Sequence, residues 1–296
     1  VLFMSMSFMS HPPAMFFGAL ALYAFLKSGR TQAGWLLLAG IAGGLMFTVR
    51  PFTAACFLLP MAAAVVFKRI GLGALTGLMG LLIGSLPFFL VNYFTTGSIF
   101  TSGYEAAWGG ISGLGFGESP WGPPHTPQMG LMHLWMLLQG LNSRLFEIPL
   151  PAMTGVGLWL LFSRRKGWKE WTIFAAGISF IGYLFYFYVD FVYGPRFAYA
   201  AAFPLLLITA LGVKGLYRQL RDEGIPRAYV TSGMLAGAVI LGLVWICISL
   251  PARWGEYSNG FRDVYKNFTE AVAEAGLENA LVFLDDYPSS DRHAQL

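Results

Sequence analysis

Long apolar runs broken by short polar turns dominate the chain from its first residues to about residue 250. Set against the roughly 17–25 residues that an α-helix needs to cross hydrocarbon, they predict eight crossings, at about 12–26, 33–49, 52–67, 71–92, 147–163, 171–189, 197–213 and 229–249. Pro12 and Pro13 suit a first helical turn, where the missing N–H had no partner to lose, and Pro51 marks the break between the second and third runs. Gly73 and Gly77, then Gly80 and Gly84, recur every four residues, which predicts close approach by a neighbouring helix. The expected fold is therefore an all-α polytopic membrane protein. It has a transmembrane helical domain over 1–250, a long loop over 93–146, and the start of a small α/β segment over 251–296.

That loop carries Trp108, Phe116, Trp121 and Trp135 among many glycines and prolines, so it reads as an ordered lid on the bilayer surface. Within it, MGLMHLWMLLQGL predicts a short interfacial helix that contains His133. The tail predicts an amphipathic helix in FRDVYKNFTEAVAEAG and a strand in ALVFL, ahead of Asp285 and Asp286. No basic segment precedes the first apolar run, so residues 1–26 do not read as a cleaved signal peptide.

Composition agrees with the pattern: 56% of residues are hydrophobic, 11% are charged and the mean hydropathy is +0.60, far from a soluble domain. The net charge of +4 does not point to nucleic acid, because its distribution follows the crossings. Alternate connections hold Lys27, Arg30, Lys68, Arg69, Arg164, Arg165, Lys166, Lys169, Lys214, Arg218, Arg221 and Arg227. Those are twelve of the nineteen basic residues, accompanied by three of the fifteen acids. By the positive-inside rule these connections are cytoplasmic, which puts the 93–146 loop and the tail on the outer face. Cys56 and Cys247 lie far apart inside apolar runs and read as small packing residues.

Ionisable groups beside hydrocarbon are costly and tend to line a site. Three arginines stand at predicted outer helix ends: Arg50 before Pro51, Arg144 shortly before Glu147, and Arg196 in YGPR beside Tyr193. A guanidinium there can grip phosphate through paired donors or reach toward headgroups. His11 in SHPP and His125 in PPHTP can orient a phosphate or move a proton, and both also fit capping and loop hydrogen bonds. Glu105 and Asp190 are the outer acids placed to serve as a base. No GxxxxGK(S/T), HExxH, CxxC or GxSxG occurs, which removes the easiest readings as a nucleotide-driven pump, zinc protease, redox protein or serine hydrolase. Asn267-Phe-Thr is a formal glycosylation sequon on the outer side.

The succession MSHPPAMFFGALALYAFL, a basic turn and GWLLLAGIAGGLMFTVRPFTA resembles the middle spans of GT-C glycosyltransferases. Within that group it resembles in particular the dolichyl-phosphate-mannose protein mannosyltransferase and aminoarabinose-transferase-like families. VNYFTTGSIFTSGY, GLGFGESPWGPPHTP and YFYVDFVYGPRFAYAAAFPLLLITALG resemble blocks of bacterial members, so the likeness runs in order through residues 1–250. It implies transfer of a sugar from a polyprenyl-phosphate carrier to a glycan, lipid or protein acceptor, at the outer face of a bacterial inner membrane. It further implies a catalytic acid in a first outer loop ahead of Val1, so that this chain reads as a fragment. Arg196 becomes a phosphate or site-wall residue, Arg50 a cavity residue, and Tyr104, Glu105 and His125 parts of the lid. Sugar, acceptor, stereochemistry and any need for a divalent metal stay open. The competing reading is a lipid or solute transporter or flippase, which should carry ionisable residues near the middle of its spans.

Overall fold

Helix follows helix along the chain, and the glycines decide which of them touch. The computed structural model describes residues 10–28, 33–67, 71–108, 114–119, 123–146, 150–163, 166–189, 195–258, 274 and 276. Four helices open it: α1 (His11–Lys27), α2 (Ala33–Val49), α3 (Pro51–Phe67) and α4 (Gly71–Thr96). A short α5 (Gly103–Trp108) and the longer α6 (Pro127–Arg144) follow, then α7 (Met153–Phe162) and α8 (Trp168–Gly177). Two 3₁₀ segments, Ser179–Phe185 and Arg196–Ala201, lead into α9 (Ala202–Asp222) and α10 (Arg227–Val244). Among the described residues there is no strand, only one isolated antiparallel bridge between Gly117 and His125. The chain divides into two units, Val1–Val244 and Trp245–Leu296; the second contains the π-turn Trp245–Ser249 and α11 (Leu250–Ser258).

Among the described residues three helices are long and apolar enough to cross a membrane: Gly73–Thr96, Arg196–Asp222 and Arg227–Ala252. This is fewer than the eight runs read from the sequence. Helices α1, α2 and α3 are 17 residues each, roughly 25 Å at 1.5 Å per residue. The runs predicted at 147–163 and 171–189 condense into the 10-residue helices α7 and α8, the latter passing directly into a 3₁₀ segment. The apolar surface faces outward as well as inward: Phe67, Phe94 and Leu161 are each at least 77% exposed, and Val230 is the one buried residue of α10. The predicted tail helix, ALVFL strand and Asn267 fall outside the described residues, apart from Glu274 and Gly276.

The predicted glycine contact forms, and its partner carries glycines too. A Cβ at Gly40 of α2 would overlap the Gly77 carbonyl of α4, and one at Gly44 would meet the Leu81 carbonyl. Reciprocally, a Cβ at Gly80 would strike the Leu37 carbonyl and one at Gly84 that of Ile41. Without side chains between them the two backbones touch, and Thr48 Oγ1 reaches across to donate to the Gly84 carbonyl at 3.1 Å. Helices α7 and α9 repeat the device with Gly155, Gly212 and Gly215.

One buried cluster joins α1, α2 and α3 to Trp159 and Ile208. A second joins Leu137 and Leu141 of α6 to Phe180, Tyr183, Phe197 and Leu205, and this one underlies the candidate site. Helix α6 is the predicted interfacial helix, begun by Thr126, whose Oγ1 accepts from the Met129 N–H at 3.2 Å. It buries Gly130, His133, Leu137 and Leu141, a helical stripe, and leaves Leu131 and Trp135 exposed.

Candidate anion site

Arg50 stands where α2 gives way to α3. Its N–H donates to the Met46 carbonyl at 2.9 Å and its carbonyl accepts from Ala54 at 2.9 Å. Pro51, which has no N–H, therefore breaks the helix without stranding a backbone group. The side chain reaches the start of α1. Its Nη1 lies 2.8 Å from Nδ1 and 2.6 Å from Nε2 of His11, and 3.3 Å from the Ser10 hydroxyl. Its Nε donates to Thr53 Oγ1 at 3.2 Å, and that oxygen lies 2.6 Å from the Tyr183 hydroxyl.

Arg196 arrives from the far end of the sequence at the start of its 3₁₀ segment. Its guanidinium carbon lies 5.4 Å from the centroid of the Phe197 ring, and that of Arg50 lies 5.3 Å from the same ring. His11 meets Phe197 edge-on at 5.8 Å and hydrogen-bonds the Arg196 backbone. It is buried and stands ahead of the apolar run of α1. A neutral ring leaves one nitrogen to accept from Arg50.

The described side chains around Arg50 (Ser10, His11, Thr53, Tyr183 and Phe197) are all neutral. The starts of α1, of α3 and of the Arg196 segment meet here. A guanidinium whose described partners are neutral can take an anion through its paired N–H donors.

A second cluster ties down the long loop. Gly117, at φ 139°, and His125 exchange backbone hydrogen bonds at 2.7 and 2.9 Å, and Gly115 donates to the Phe185 carbonyl at 2.8 Å. His125 Nε2 lies 3.0 Å from the Leu184 carbonyl, while its ring stacks on Phe116 at 5.4 Å and on His133 at 5.6 Å. Burial, and next the neighbouring His125, lower the pKa of His133, against a hydrogen bond to the Tyr186 backbone. The Nδ1 atoms of both histidines are buried without a hydrogen-bond partner.

Of the residues singled out from sequence, Arg50, His11 and Arg196 are thus brought together, and His125 is placed in the neighbouring loop cluster. Arg144 closes the last turn of α6, where a cation meets the carbonyl end of a helix, and is not among the groups around Arg50. Glu105 is exposed on α5, which packs against α4, and makes no contact with Arg50. Tyr104 lies on the same helix; its side chain, Asp190, Tyr193, Glu147 and Trp121 lie outside the described residues. Sequence reasoning missed Thr53, Tyr183 and Phe197. Thr53 had a signal, because it stands one helical turn after Arg50; Tyr183, 130 residues from Thr53, had none. Among the described residues no group of three or more His, Cys, Asp or Glu is gathered to hold a metal ion.

Compared with protein-family models, curated proteins and solved structures, the chain matches none.

Proposed function

We propose that this chain is a membrane glycosyltransferase that takes a sugar from a polyprenyl-phosphate carrier, and that the Arg50 cluster receives the carrier's phosphate. The observation that carries the reading is Arg50 itself, a guanidinium whose described hydrogen-bond partners, at the starts of α1 and α3, are all neutral. A phosphate offers the bidentate acceptor that such a group recognises. The apolar exterior of the helices suits a donor whose tail stays in lipid.

In this reading an acceptor hydroxyl attacks the anomeric carbon and gives up its proton to a base, while the bond between that carbon and the phosphate oxygen breaks. The lipid phosphate departs with the electron pair, and Arg50 and Arg196 offset its growing charge. The base is not assigned among the described residues, since Glu105 stands apart from the cluster. The acceptor is a glycan, lipid or protein.

The alternation of basic connections supports an inner-membrane topology with the cluster and the 93–146 loop on the outer face. Helices of 17 residues then cross where the bilayer thins or where flanking residues reach toward the headgroups. Charge gathered at helix ends rather than mid-span favours transfer at a surface over transport. Arg196→Ala in the full-length protein tests the reading: membrane insertion persists and transfer from a polyprenyl-phosphate sugar is lost. Normal turnover would refute it.

A further inference from the structure

We propose that Thr53 and Tyr183 are positioning residues for Arg50, holding its guanidinium at the orientation in which it meets phosphate; this rests on the reading of the cluster as a phosphate site. An arginine at a helix break has many rotamers, and ordering it on binding costs affinity. Here that ordering is done in advance. The Nε donor is fixed on Thr53 Oγ1 at 3.2 Å, and the same oxygen is held by the Tyr183 hydroxyl at 2.6 Å.

Tyr183 is itself immobile. Its ring is 2% exposed and packs edge-on against Phe52 at 5.1 Å and Phe197 at 5.4 Å. The 3₁₀ segment that carries it is pinned from the other side by the long loop, through His125 on Leu184 and Gly115 on Phe185. A continuous line of contacts therefore runs from the loop through Tyr183 and Thr53 to Arg50. A purely structural threonine would need only to fill its space, whereas this one must present an oxygen.

The test is equilibrium binding of undecaprenyl phosphate to the full-length protein in lipid nanodiscs. Thr53→Val, which keeps shape and removes the oxygen, should weaken binding about 10-fold, the loss expected from one hydrogen bond to a charged group. Thr53→Ser should restore it to within about 2-fold. Tyr183→Phe, which leaves the Thr53 oxygen in place, should give a smaller loss and serves where Thr53→Val does not fold. Arg50→Ala is the control. If it abolishes binding while Thr53→Val and Tyr183→Phe bind like the wild type, the positioning role is overturned and the phosphate site stands. If Arg50→Ala binds like the wild type, the site reading falls and the positioning role with it.

Discussion

Arg50 Nη1 lies 2.6 Å from Nε2 of His11, a guanidinium against an imidazole that must stay neutral to accept it. His11→Leu, which removes the acceptor from a partly buried guanidinium, should cost about 1–3 kcal/mol in thermal unfolding of the protein, while His11→Gln, which keeps one, should cost less. Equal losses would mean that the ring nitrogen does not hold Arg50.

The loop cluster makes a related prediction with a local readout. His133 has a lowered pKa and stacks on His125, so acidification below the ordinary imidazole range should loosen the contacts they make with the Ser179–Phe185 segment. Hydrogen exchange at the Gly117 and His125 amides, corrected for intrinsic rates, should speed up between pH 7 and 5, and His133→Phe should remove that dependence. Unchanged protection in the wild type would show that the loop does not respond to these rings.

Helices α2 and α4 meet backbone to backbone, which leaves no room for a side chain at Gly44 or Gly84. Gly84→Val should destabilise by at least the roughly 1–3 kcal/mol of ordinary overpacking, because the obstructing atoms are backbone and cannot turn away. Gly97, where an added Cβ meets nothing, stands at φ 75° and is no neutral control; Gly237, inside α10 and with open space around it, is. Gly237→Ala should leave thermal stability unchanged or slightly raised. Equal losses at Gly84 and Gly237 would contradict the packing.

Glu170, an acid close to Lys166 and Lys169 in the chain, has a structural task. Its Oε2 accepts from the Trp159 indole N–H at 2.7 Å and from the Ser163 hydroxyl at 2.9 Å, tying α8 to α7. Glu170→Ala strands the N–H of a fully buried tryptophan and should cost about 1–3 kcal/mol, while Glu170→Gln, which keeps an acceptor, should cost less. Indole fluorescence during denaturation reads both.

What the sequence made legible depended on range. The all-helical class, the Pro51 break, α6 and the glycine contact of α4 rest on local periodicity and punctuation, and each appears. Helix lengths were less legible, because a continuous apolar run does not record where α8 tightens into a 3₁₀ turn at Ser179. At the site, charge beside hydrocarbon marked Arg50 and Arg196, and a histidine before two prolines marked His11. Their meeting on Phe197 was not legible, since 147 residues separate Phe197 from Arg50 and no local pattern encodes the contact. Arg144 and Glu105 shared the same sequence signal but are not among the described hydrogen-bond partners of Arg50.

The proposed site takes a lipid-linked phosphate by its phosphate rather than by its lipid chain. Titration of the protein in nanodiscs with undecaprenyl phosphate and with undecaprenol, which has the same chain and no phosphate, separates the two. Saturable binding of the phosphate, lost in Arg50→Ala, with little binding of the alcohol, is the expected result. Equal affinity for both compounds, indifferent to Arg50, would rule the site out.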